Sequence, residues 1–260
     1  MPKIFARCAL LLAVTLGSSQ VFAALYITNP TDFGTPLATI SSCDDCAEEI
    51  SFPGTGQSVN FYGTTYSAMW PSSNGLIAFG SGYTGYTPQP IDEQTFRPMI
   101  AGLFTDLDAR PPRSTVYLNN ATPGQVVITW QTMSRFSQDS TNSTFQLVVR
   151  SDQFSIPAGE GQIGLFYGSI DTPSISSAGF GDGLAAVNEG EVALFSQEPA
   201  NTHSDRAGSW YTLGAGGIAG DSPAATAAPV PVLPAPLMVL MIAMMALVGG
   251  RYSLPNLYRG

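Results

Sequence analysis

The chain has 260 residues, a formal charge of −9 and 11% charged side chains against 44% hydrophobic ones. That is enough apolar material for a packed core, while the acidic surplus repels phosphate backbones and excludes nucleic acid as a natural partner. The 27 glycines and 20 prolines imply many turns and suit short strands over long helices.

Residues 1–23 read as a secretory signal peptide. Lys3 and Arg7 precede an apolar run, Cys8 to Leu16, and Val21-Phe22-Ala23 offers small residues for cleavage before Ala24. The run is too short to span about 30 Å of hydrocarbon. Its removal takes away the only lysine and leaves eight arginines against nineteen acids. Two cysteines remain, Cys43 and Cys46 in "SSCDDCAEEI". In an oxidising compartment they read as a small-loop disulfide, with a redox pair or half of a metal site as the alternatives.

From residue 59 to 171 apolar and polar residues alternate as in short strands. Asn74-Gly75 precedes the apolar run "GLIAFG" and reads as a tight turn in which both residues accept positive φ. In "GSGYTGYTPQP", Tyr83 and Tyr86 stand between glycines, either as ligand contacts, offering large rigid area at little entropic cost, or packed on the sandwich edge. "MIAGLFTDLD" reads as one strand that puts Asp106 and Asp108 on a shared face about 6.6 Å apart. Two carboxylates there need Arg110, Arg113 or a calcium ion as partner, or they are a solvated strand end.

"STVYLNNATPGQVVITW" reads as a hairpin with its loop at Asn119 to Gly124. "QVVITWQ" turns Val126, Ile128 and Trp130 to one face and Val127, Thr129 and Gln131 to the other, and "STFQLVVR" does the same with Phe145, Leu147 and Val149 against Gln146, Val148 and Arg150. These are predicted half-buried strands with Trp130 and Phe145 facing a core. "IGLFYGSI" and "EVALF" are further strand candidates, and strands this short at close intervals suggest an antiparallel sandwich.

Six stretches in order, Asn60-Phe61-Tyr62-Gly63, Ser73 to Phe79, Pro98 to Asp108, Val127 to Trp130, Ser143 to Val148 and Ile163 to Gly168, resemble the nidogen-like extracellular (NIDO) domain. The resemblance covers about 110 residues, and "SAGFGDG" resembles a segment that often follows such domains. It implies a module for adhesion or interaction with extracellular matrix or biofilm, the partner being a matrix protein or a polysaccharide. A glycan-binding sandwich, calcium-assisted through Asp106 and Asp108 with Tyr83 and Tyr86 at its site, is a second reading, and a structural envelope protein without a discrete ligand is a third.

Catalytic signatures are missing. His203 is the only histidine and sits in the polar loop "NTHSDR"; HExxH, G-x-S-x-G and P-loop motifs do not occur. The chain reads as a non-enzyme that needs no cofactor.

"GAGGIAGDSPAATAAPVP" is small-residue-rich and without periodicity, and marks a flexible linker over 214–229. Residues 230–250 are uncharged, and "LMVLMIAMMALVGG" is apolar on every helical face, so this segment reads as a single transmembrane helix. Arg251 and Arg259 beyond it place residues 251–260 in the cytoplasm and the N-terminal domain outside. The Pro-rich run from Pro231 to Pro236 followed by this segment and a basic end resembles a PEP-CTERM sorting tail, which implies an exosortase-like sorting enzyme as partner. The expected organisation is an all-β antiparallel sandwich over 24–213, its nidogen-like core at about 59–171, then linker, span and tail.

Overall fold

The computed structural model describes residues 24–91, 97–110, 112–170, 175–184, 192–199 and 208–214. The chain divides into two units, Met1–Ala225 and Thr226–Gly260, and every described residue belongs to the first. The leader at 1–23, His203, the linker beyond Gly214, the span at 230–250 and the tail at 251–260 lie outside the described residues. Among the described residues no helix is long and apolar enough to cross a membrane.

The described part is all-β apart from 3-10 turns at Pro30–Asp32 and Ile40–Ser42. Strands β1 (Thr35–Pro36), β2 (Ile50–Ser51), β3 (Val59–Phe61), β4 (Thr64–Tyr66), β5 (Ala68–Pro71) and β6 (Leu76–Ala78) are short. Then come β7 (Met99–Phe104), β8 (Leu107–Asp108), β9 (Thr115–Asn119), β10 (Gln125–Arg135) and β11 (Gln138–Arg150). The set closes with β12 (Ile163–Tyr167), β13 (Ile175–Gly181), β14 (Val192–Pro199) and β15 (Ser209–Tyr211).

One sheet has the order β1-β9-β10-β11-β12-β15, with β8 also on β10. The second runs β14-β13-β7-β6-β5-β2, and β3 and β4 form a separate hairpin. Every pairing is antiparallel. The sandwich-like layering follows from the alternation: Trp130 pairs with Phe145, Ile128 with Leu147 and Val126 with Val149, and all six are buried in one core with Ile77, Ile100 and Leu103 of the facing sheet. The Trp130 and Phe145 rings stack at 4.9 Å and 8°. Polar bonds cross the same core, from Trp130 Nε1 to the Ser72 carbonyl at 2.9 Å and from the Tyr167 hydroxyl to the Gly102 carbonyl at 2.9 Å. Because backbone groups there are paired, the core tolerates them.

The central strands are not half-buried. Val127, Thr129, Gln146, Val148 and Arg150 on the opposite face are also buried. The cover comes from the N-terminal segment and β15. Tyr26, Ile27 and Trp210 pack on Val127, Val148 and Phe166. Buried polar groups under this cover are satisfied by it and by neighbouring strands and loops: Gln146 bonds both backbone groups of Ile27, and Arg150 bonds Gln125, the Gly161 carbonyl and the Tyr26 hydroxyl. The Arg150 guanidinium also lies 4.3 Å from the Trp210 ring centroid and 4.8 Å from that of Phe154, where a planar cation is attracted to the ring faces.

Candidate functional site

Loops from both sheets converge where the chain leaves β7. "MIAGLFTDLD" is not one strand. β7 pairs with β6 and β13 in one sheet and β8 pairs with β10 in the other, so Thr105 and Asp106 form the crossover. The side-chain alternation is broken there, and the shared face predicted for Asp106 and Asp108 is not formed. Asp108 is buried and held by Arg110, whose Nε and Nη2 donate to it at 2.9 and 2.7 Å and whose backbone N–H donates at 2.9 Å. Asp106 instead lies with Asp44 and Asp45, with carboxylate oxygens of all three within 4.8 Å of one another.

Asp44 and Asp45 sit in the loop between Cys43 and Cys46, whose Cα atoms are 5.8 Å apart, within the range for a disulfide, with the two sulfurs in contact. That loop is fixed on the turn before β6. Ser73 N donates to Cys46 O at 2.8 Å, Cys46 N donates to Ser73 Oγ at 3.0 Å, and the Ser73 hydroxyl donates to the Asp44 carbonyl. Asn74, fully buried, is the hub. Its amide nitrogen donates to Asp45 Oδ1 at 2.8 Å and to the Gly85 carbonyl at 3.2 Å, and its Oδ1 accepts from Leu107 N at 2.9 Å. Three loops are thereby tied to one side chain. Of the two turn residues only Gly75 has positive φ, +80°; Asn74 acts through its amide.

The electrostatics follow from this crowding. Burial, together with Asp108, Asp45 and Asp106, pushes the Asp44 carboxyl up despite Arg110. Burial and Asp45 push Asp106 up, with Arg135 opposing. Burial acts on Asp108 in the same sense, yet the hydrogen bonds from Arg110 hold it below the ordinary carboxylate value. The trio supplies three of the roughly six to eight oxygens that calcium takes, and Arg110 Nη2 already bonds Asp44 Oδ2 at 3.0 Å.

Beside the trio is an open cleft of about 570 Å³, lined by Tyr86, Pro88, Asp106, Arg135, Gln138 and Ile175 among others. Its walls come from both sheets: Arg135 and Gln138 flank the β10–β11 turn, and Ile175 begins β13. Phe136 N donates to the Asp106 carbonyl at 2.9 Å and the Thr105 hydroxyl to the Ile175 carbonyl at 3.0 Å, which fixes both walls to the crossover. Arg135 Nε is buried without a hydrogen-bond partner among the described residues.

The two loop tyrosines diverge. Tyr86 is 52% exposed at the cleft, whereas Tyr83 packs edge-on against Phe104, and burial raises its hydroxyl pKa. Phe136 at 41% and Ile175 at 56% are the other large apolar side chains exposed at this end. Asp44, Asp45, Asn74, Arg135, Gln138 and Ile175 at this end carry no site motif in the sequence. The adjacent acids of "CDDC" were the one local signal.

No curated protein and no solved structure matches the chain. A family model described as NIDO related matches residues 18–208, which takes in strands β1 to β14, the acidic trio and the cleft. The chain belongs to the NIDO-related family.

Proposed function

We propose that this chain is an exported, membrane-tethered protein that displays its nidogen-related domain for adhesion to extracellular matrix or biofilm material, without catalysing a reaction. The observation that carries the reading is the loop end of the sandwich, where Tyr86 and Ile175 stand exposed in the lining of a cleft built from both sheets and Phe136 stands exposed next to Arg135. Large apolar side chains grouped at one end, rather than scattered singly over the surface, mark a contact surface. Export is supported by the leader at 1–23, and the tether by the uncharged segment at 230–250 with Arg251 and Arg259 after it. A PEP-CTERM-like tail adds an exosortase-like sorting enzyme as a partner, and export makes the Cys43–Cys46 pair a disulfide.

Cells carrying the full chain, compared with cells carrying a chain lacking residues 230–260, test the proposal directly. Full-length cells retain more matrix or extracellular polysaccharide at their surface, and peptides from the isolated envelope begin at Ala24. Equal retention by both, or a protein recovered from the cytosol with residues 1–23 attached, overturns it.

A further inference from the structure

The adhesive reading does not name a ligand class, and the cleft restricts one. Asp106 and Arg135 line the same open space, so a polyanion meets a carboxylate there and a basic peptide meets a guanidinium. The acidic trio beside it repels anions further, and Arg135 opposes the deeper entry of a cation. A neutral ligand rich in hydroxyls meets neither difficulty, because each hydroxyl both donates and accepts. It can donate to the Asp106 carboxylate, accept from the Arg135 guanidinium, and do either with the Gln138 amide.

Three planar polar side chains beside an exposed aromatic ring suit a sugar ring, which has hydroxyls at its edge and C–H groups on its face. Tyr86 supplies the ring, and the preceding residue is fixed because the Gly85 carbonyl accepts from Asn74. Pro88 and Ile175 extend the apolar surface. The volume of about 570 Å³ falls in the range of ligand sites, and an open cleft admits an internal stretch of a long chain rather than only an end.

We infer that this cleft binds a segment of a neutral polysaccharide, with Tyr86 as the stacking platform and Asp106, Arg135 and Gln138 as the hydroxyl partners; the inference rests on the adhesive reading above. Binding requires no divalent ion, because all four groups belong to the cleft itself.

The test is electrophoresis of the full chain in mild detergent through native gels containing dextran, mannan, laminarin or alginate, with gelatin-coated beads as a protein surface. At least one of the three neutral polysaccharides retards the wild type equally with and without chelator. Tyr86→Ala and Gln138→Ala each weaken retardation by about tenfold with unchanged melting temperature, and Tyr86→Trp preserves it. Retardation unchanged in both alanine variants, retardation by alginate alone, or loss on chelation overturns the inference, the last by transferring recognition to the acidic trio. Retention by gelatin without retardation by any polysaccharide overturns it while leaving adhesion standing. Failure to bind every probe overturns both.

Discussion

Gln146 grips Ile27 by both faces of its peptide: Ile27 N–H donates to Gln146 Oε1 at 2.9 Å, and Gln146 Nε2 donates to the Ile27 carbonyl at 3.1 Å. The same Nε2 donates to the Thr129 hydroxyl at 3.0 Å. One buried amide therefore docks the first residues of the domain on central strands, β10 and β11, that lie about a hundred positions further along the chain. Gln146→Leu preserves volume approximately but strands the Ile27 backbone groups and the Thr129 hydroxyl. A loss of about 3 kcal/mol is expected from unpaired buried polar groups, read by urea denaturation, together with faster hydrogen exchange at Ile27.

Arg150 closes the opposite end of the same cover. Only 1% of it is exposed, and its guanidinium bonds Gln125, Gly161, Tyr26 and Glu160 while lying against Trp210. A lysine ammonium cannot reproduce a planar fork that bonds four groups and stacks on a ring. Arg150→Lys is expected to destabilise by about 3 kcal/mol, the range for breaking a buried charged network. Tryptophan fluorescence at Trp210 should report a looser environment before global unfolding.

The central hairpin was legible because Val126 to Trp130 and Phe145 to Val149 alternate with a period that only a strand satisfies, and its register puts Trp130 opposite Phe145 as the pattern requires. Burial of the other face was not legible. Its cover comes from Tyr26 and Ile27, about a hundred positions before the strands they protect, and from Trp210. Local periodicity carries no such information. The acidic trio was hidden for a related reason, since Asp45 and Asp106 are brought together by Asn74 and by a crossover that reads, residue by residue, as a continuous strand. Tyr83 and Tyr86 share one sequence environment, and only Phe104 beneath the first separates their roles.

Gly75 tolerates no side chain. Its φ is +80°, and a Cβ there would overlap the Leu103 carbonyl and press on Phe145. Gly75→Ala combines backbone strain with displacement of β7, for a loss on the order of 3 kcal/mol. Because Asn74 is adjacent, the three loops it ties should loosen together, seen as increased proteolysis near Gly85.

The Cys43–Cys46 loop carries Asp44 and Asp45 and hangs on Ser73. In the loop-entropy model so short a closure stabilises by about 2 kcal/mol. Reduction, or Cys43→Ala with Cys46→Ala, is expected to lower the melting point by that measure, and thiol titration of the unfolded native protein should find no free sulfhydryl. Two titratable thiols in protein isolated from the envelope would show that the pair is reduced.

Asp106 and Asp108 should respond to pH in opposite senses, although two residues separate them in sequence. The raised pKa of Asp106 means that the folded state holds its proton more tightly than the unfolded chain does, so its unfavourable contribution is absent below the ordinary value of 3.8 and grows as pH rises through the raised value. Asp106→Asn removes the buried charge and its repulsion with Asp45, and is expected to stabilise the protein at neutral pH by a few tenths of a kcal/mol, with no gain in acid. The lowered pKa of Asp108 gives a favourable contribution that is complete above 3.8 and is lost as pH falls through the folded value. Asp108→Asn, which weakens the contacts with Arg110, should therefore destabilise at neutral pH and become neutral in acid. Thermal melts of both variants from pH 7 to pH 2 test the pair, and a destabilising Asp106→Asn at neutral pH would mean that its carboxylate is held by an attractive partner rather than by its acidic neighbours.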